Sequence, residues 1–166
     1  MTSVSTMADA TPVAHEEYVS LPYASAGLRF VAAVLDLIVL GSIFLLFVSA
    51  AGLYLLAQTD WGAESDFTNE QGYTAVAIAA MFALFLPIYF IGLWWWHGQT
   101  IGQMATRIAV TDRDGYHISG WRSIIRTMTW PLSVIPFGLG LVPILFDDES
   151  RALHDMLAGT VVLELP

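Results

Sequence analysis

Apolar residues in this chain fall in long blocks, not at the spacing of an amphipathic helix or strand. The first block, residues 30–56, opens "FVAAVLDLIVLGSIFLL"; the second, residues 74–96, reads "TAVAIAAMFALFLPIYFIGLWWW". At a rise of about 1.5 Å per residue, each exceeds the ~30 Å needed to cross a bilayer. A third block, "TMTWPLSVIPFGLGLVPILF", covers residues 127–146. It is long enough to cross, but Pro131, Pro136 and Pro143, with Gly138 and Gly140 between them, interrupt any continuous helix. Irregular backbone at membrane depth needs protein or water to cover it. The pattern therefore predicts either a re-entrant pair of half-helices or a kinked crossing.

Two short stretches alternate at strand period. "RIAVTDRDGYHIS" alternates and then turns at Asp114-Gly115, a hairpin signal, and "TVVLEL" near the C-terminus places Val161, Leu163 and Leu165 on one face. A hairpin alone is marginal in water, so the C-terminal strand is expected to join it as a third. That pairing favours the re-entrant form, with both ends of the broken block on one side. The predicted fold class is an all-α membrane protein: two long transmembrane helices, a proline- and glycine-broken third hydrophobic segment, and a small cytoplasmic β element. Residues 1–22, polar and rich in small side chains, read as a disordered cytoplasmic tail, and residues 23–165 as one transmembrane domain.

Composition agrees with a membrane protein. The chain of 166 residues is 56% hydrophobic and 13% charged, about half the charged share of an ordinary soluble domain. With no cysteine, disulfides and thiolate metal sites are excluded. All six cations are arginine, and the net charge of −9 argues against nucleic acid as a partner. The loop between the first two blocks, "QTDWGAESDFTNEQG", carries four acids and no arginine, whereas residues 97–126 carry Arg107, Arg113, Arg122 and Arg126. The positive-inside bias then places the acidic loop outside and the N-terminus in the cytoplasm of a multi-pass cell-membrane protein. Trp94, Trp95, Trp96, Trp121 and Trp130 fall on the inner side, where an interfacial aromatic belt is expected.

Charge inside the first block demands a reason. Asp36 lies seven residues, close to two turns and roughly 10 Å, beyond Arg29, so both share a face. An aspartate at helix centre costs about 2.5–3.5 kcal/mol on insertion scales, so it needs a partner or a purpose. One reading is a polar clamp, with Asp36 meeting an arginine or backbone donors. The other is a proton- or cation-binding carboxylate on a pathway. Arg126, which opens the third block, is the candidate counter-charge. Asp155, beside His154, is placed either to take backbone donors or to pair with Arg29. In "GQTIG", Gly98 and Gly102 allow close helix approach, while Gln99 and Thr100 can satisfy broken backbone groups. Gly159 and Thr160 mark where a helix gives way to the last strand.

Arg29 and Asp36, then "GQTIGQMATRIAVTDRDG", then "RALHDMLAGTVVLEL" together resemble the RDD family of small membrane proteins, over residues 23–165. The arginine and two aspartates that name the family correspond by position to Arg29, Asp36 and Asp155. The family often has a basic residue where Gln103 stands, and more basic residues where "DDESR" stands. The resemblance implies a membrane protein, with transport of unidentified ligands suspected and sodium–proton exchange linked to some members. The partners expected are thus the lipid bilayer, a small cation or proton, and further copies of the chain. A scaffold or accessory subunit held by structural charges is the alternative. No serine elbow or phosphate-binding loop appears, and the four histidines lack ligand spacing, so neither an enzyme, a metal site nor a cofactor is expected.

Overall fold

The computed structural model describes residues 21–58 and 69–166. The predicted N-terminal tail, up to residue 20, and most of the acidic loop lie outside the described residues.

Helix α1 (Ala26–Gln58) runs 33 residues and α2 (Asn69–His97) 29. Both are long and apolar enough to cross a membrane, and their apolar faces are largely bare. One ring contact between them is Phe44 against Phe82 at 4.8 Å, and Phe82, Phe85, Tyr89, Phe90 and Trp94 form a series along α2 itself. Gly98, in the left-handed region at φ 70°, ends α2 and turns the chain into the short helix α3 (Ile101–Ala105). Thr100 and Gln103 cap α3 reciprocally, the Thr100 hydroxyl accepting from Gln103 N–H and the Gln103 side chain accepting from Thr100 N–H. Gly98 therefore terminates a helix and does not serve close helix packing. Gly102 does serve it: a Cβ there would lie 2.1 Å from the carbonyl oxygen of Ala32 on α1.

Strand β1 (Ile108–Asp112) follows, then helix α4 (Gly120–Val134), a 3-10 segment (Leu139–Leu145), helix α5 (Leu153–Ala158) and strand β2 (Thr160–Glu164). The strands pair antiparallel, from Ile108 opposite Glu164 to Asp112 opposite Thr160. The hairpin expected around Asp114-Gly115 is only half present. Its turn forms, with the Asp112 carboxylate accepting from Asp114 N–H and Tyr116 N–H. Its return arm, however, meets β1 only briefly, at the Thr111–His117 bridge and where Asp112 N–H donates to the Tyr116 carbonyl. Ile118 then enters the core and Ser119 caps α4, so helix entry ends the arm before it can pair further. The same edge of β1, the one away from β2, donates Val110 N–H to the Gly98 carbonyl, and the far edge of β2 is covered by Pro22 and Ala24. Neither strand is left as an open edge.

The core sits at this end of the molecule: Ala24, Ala32, Trp94, Ile108, Val110, Ile118 and Val162, with Leu28 and Phe90 packed against it. Trp94 thus departs from the expected interfacial belt. It is buried, donating its indole N–H to Gln103 at 2.9 Å, while Trp95, Trp96, Trp121 and Trp130 remain exposed. The third block is bent by 101° between α4 and the 3-10 segment.

Replacing Gly102 by alanine forces α1 and α3 apart, because the clash is with backbone. The expected loss is about 1–3 kcal/mol, read as a lowered Tm in detergent; unchanged stability would show that the approach is looser.

Candidate functional site

Two polar centres hold the sheet end together, and the residues singled out in the sequence divide between them. The first surrounds Asp36, a buried side chain two turns into α1 from Arg29. Its Oδ1 accepts from the Tyr89 hydroxyl at 2.7 Å and from Gly102 N–H at 2.8 Å; its Oδ2 accepts from the Thr100 hydroxyl at 2.6 Å. One carboxylate so joins α1 to α2 and to α3. Every donor is neutral. Arg126, the expected counter-charge, does not meet Asp36. It lies along the polar face of α4 and points instead to α5.

The second centre surrounds Asp155, which has no exposed surface. Arg29 Nη1 donates to its Oδ2 at 2.6 Å, Arg126 forms an ion pair with its Oδ1, and Ala152 N–H donates to Oδ2 at 3.0 Å. Arg29 is steadied by its Nε on the Ala24 carbonyl. Arg126 also donates to the Thr160 hydroxyl at 2.8 Å, and its guanidinium lies 4.7 Å above the Trp94 ring, a cation–π contact. This centre ties α1, α4, α5 and β2 together. Gly159, at φ 64°, makes the turn that brings Thr160 alongside it.

His154 completes the arrangement. Ser133 Oγ on α4 accepts from His154 N–H at 3.2 Å and lies 2.9 Å from the ring Nδ1. With the serine hydroxyl donating to Nδ1, the ring proton sits on Nε2, which stands 3.5 Å from Asp155 Oδ1. Burial pushes the histidine down to about 4; Asp155 pulls it up, and Arg126 and Arg29 oppose that pull. Burial by itself would raise the Asp155 carboxyl. The charges of Arg126, His154 and Arg29, with the Ala152 N–H, outweigh it and hold the group down at about 2. At neutral pH the centre is two guanidinium groups, one carboxylate and a neutral imidazole.

Gln99 lies outside both centres, its side-chain N–H₂ donating to the Ile108 carbonyl at 2.8 Å. Sequence reasoning missed Tyr89, Trp94, Gln103 and Ser133 as members. Ser123, Arg126 and Ser133 did carry a signal: at spacings of three and seven they mark one polar helical face inside an apolar block. Tyr89 shows no such signal within its apolar run. An open hollow of about 520 Å³ lies at the sheet end between Arg113, Arg122 and Gly159, and is lined by neither Asp36 nor Asp155.

Fold and site together define a polytopic-type membrane protein whose two apolar helices are joined at one end by buried ion-pair and carboxylate centres. A family comparison narrows this: the RDD family matches residues 23–159, and the chain belongs to that family. Among curated relatives, it is similar to an uncharacterized protein, RP437, of Rickettsia prowazekii, 33% identical over 89 residues. That alignment covers 54% of this chain and 50% of the relative. It is also similar to the uncharacterized protein YckC of Bacillus subtilis, 30% identical over 90 residues, covering 51% of this chain and 56% of the relative. The chain spans about half the length of the curated relatives it matches. No solved structure matches.

Breaking a buried ion pair costs about 3–5 kcal/mol when one charge is left uncompensated. Asp155→Asn strands two guanidinium groups and is expected in that range, whereas Arg29→Gln leaves Arg126 on the carboxylate and costs less. Equal losses in a detergent unfolding series would refute this ranking.

The unfolded His154 ring takes a proton near pH 6.5, the buried ring only near 4. Between those values the unfolded chain holds more protons, so stability is complete above pH 6.5 and falls as pH drops toward 4. The loss is on the order of 3 kcal/mol by pH 4. His154→Gln should flatten that acid limb; a limb of unchanged slope would assign it to other groups.

Proposed function

We propose that the chain is a membrane scaffold or accessory subunit in which Arg29, Asp36, Arg126 and Asp155 are structural. The single observation behind this reading is the state of Asp36: both oxygens are occupied by fixed donors on α2 and α3, in a buried contact. A cation entering there would have to displace Tyr89, Thr100 and Gly102 N–H, and with them the joint between three helices. Asp155 is likewise committed to two arginines. No catalytic step enters this reading. The side of the membrane follows from the charge bias, with the arginine-bearing sheet end in the cytoplasm of a cell-membrane protein and the N-terminus beside it.

A second reading, cation or proton exchange, is favoured by one feature. Asp36 meets only neutral donors, so its charge is not cancelled by any arginine, and an uncancelled carboxylate at membrane depth is where a small cation would be drawn. Sodium- and proton-flux measurements in proteoliposomes separate the two. The scaffold reading expects no flux above protein-free vesicles for the parent chain. It falls if the parent supports flux and a folded Asp36→Asn variant does not.

A further inference from the structure

We propose that α4 and the 3-10 segment form a wedge lodged in a single leaflet, the one bordering the β-sheet. The third apolar block then enters and leaves the bilayer on the same side. Its occupant-facing surface contacts acyl chains, not water and not a second copy. The inference rests on the lipid setting of α1 and α2 and is independent of whether Asp36 exchanges ions.

Helix α4 is amphipathic in the inverse sense to a soluble helix. Ser123, Arg126 and Ser133 are buried against α5, while Trp121, Met128, Leu132 and Ile135 are exposed. In water that arrangement would leave the apolar side uncovered; in lipid it is the favourable one. Residues 127–146 hold no charged side chain, and Arg126 and Asp147 bound them.

Contacts with α2 set the direction. Arg126 lies on Trp94, and Trp130 stacks near Phe90 at 6.4 Å. Four residues onward along α4 correspond to four residues back along α2, so α4 climbs beside the spanning helix from its inner end. Fifteen residues give roughly 22 Å, less than the ~30 Å of a crossing. The chain then bends by 101° at Phe137 and Gly138, both in the left-handed region. Strand pairing closes the path: Asp112, just before α4, is opposite Thr160, just after α5. A single crossing between them would place two paired strands on opposite faces of the bilayer, which no pairing survives.

Broken backbone inside lipid must satisfy its own polar groups. Here it does. Ile135 N–H donates to the Pro131 carbonyl, Gly138 N–H to Val134, Leu139 N–H to Pro136 and Leu141 N–H to Gly138. The return limb packs on the outgoing one so closely that a Cβ on Gly140 would lie 2.4 Å from Ser133 Cα. Phe137, at the bend, is fully exposed. Acyl chains are the occupant because this surface continues the bare apolar face of α2, with exposed Trp95, Trp96 and Trp121 at the sheet end, as at a headgroup boundary.

The chain has no cysteine, so single-cysteine variants report one position each. Asp114→Cys, Ser150→Cys and Phe137→Cys, in the full chain in sealed vesicles, are treated with an impermeant maleimide from each side. Asp114→Cys and Ser150→Cys should label from the same side, and Phe137→Cys from neither. A nitroxide at position 137 should then respond to oxygen at least several-fold more than to a water-soluble nickel chelate. Labelling of positions 114 and 150 from opposite sides would establish a crossing and overturn the proposal. Nickel access at 137 equal to that at 114 would place the wedge in water, and dipolar broadening at 137 would place a second copy on it; either also overturns it. Leu139→Cys repeats the depth measurement from a second exposed position.

Discussion

Asp155 is the point on which four elements converge. It lies 126 residues from Arg29 along the chain, yet shares a 2.6 Å hydrogen bond with it, and it also holds Arg126 and the N–H of Ala152, the residue that caps its own helix. A carboxylate wholly removed from water is tolerable only with its charge balanced and its lone pairs filled. Two guanidinium groups supply the opposing charge; Arg29 and the Ala152 N–H fill Oδ2, while Oδ1 meets Arg126 as an ion pair. Each must be delivered from a different element, so the positions of α1, α4 and α5 follow from one side chain. Hydrophobic association could not do this within the bilayer, where lipid tails solvate a leucine as well as another leucine does. The apolar faces of α1 and α2 are accordingly bare, and the packed core gathers at the sheet end, where charges and strands supply direction.

Asp36 works differently, and the contrast between the two aspartates explains the division of labour. Asp155 is balanced by charge; Asp36 is held by geometry alone, through two hydroxyls and one peptide N–H. Hydrogen bonds to an ionised acceptor are the strong ones, and three of them fix the distances among α1, α2 and α3. Gly102 belongs to this joint twice over. Its N–H serves the carboxylate, and its missing side chain lets α3 approach the Ala32 carbonyl. The spacing of Gly98 and Gly102 thus reflects two unrelated needs, one a left-handed helix terminus and the other close contact.

Much of the architecture was legible because lipid imposes simple rules. Two long apolar runs become long helices, the second with Pro87 inside it; in the third, Pro131 is taken within α4 and the break falls further on, at Phe137 and Gly138. The helix end at Gly159 and the turn at Asp114-Gly115 were readable from local chemistry. Partnerships were not. Similar depth at the ends of two apolar blocks pairs Arg126 with Asp36 in the sequence, but depth along the membrane says nothing about azimuth around a helix. The polar face of α4 turns Arg126 toward α5. Tyr89 was invisible as a partner because a tyrosine in an apolar aromatic run looks like any other ring until its hydroxyl is placed. In the sequence Trp94 reads with its two neighbours, and only the helical rotation of about 100° per residue separates the buried ring from the exposed pair.

Competition for the same residues accounts for the half-formed hairpin. Alternation in residues 107–119 is real, but a strand partner must compete with whatever else its residues can do. Ser119 can cap a helix, and Ile118 can fill the core beneath Trp94 and Val162; each gains more there than on a short exposed return arm. The strand that wins, β2, arrives with its register already determined, since Thr160 must reach Arg126 and Asp155 must lie one short turn earlier. The sheet is therefore a consequence of the ion-pair centre more than a cause of it. The β-pairing and the Arg126–Asp155 ion pair together close the third apolar block into a loop.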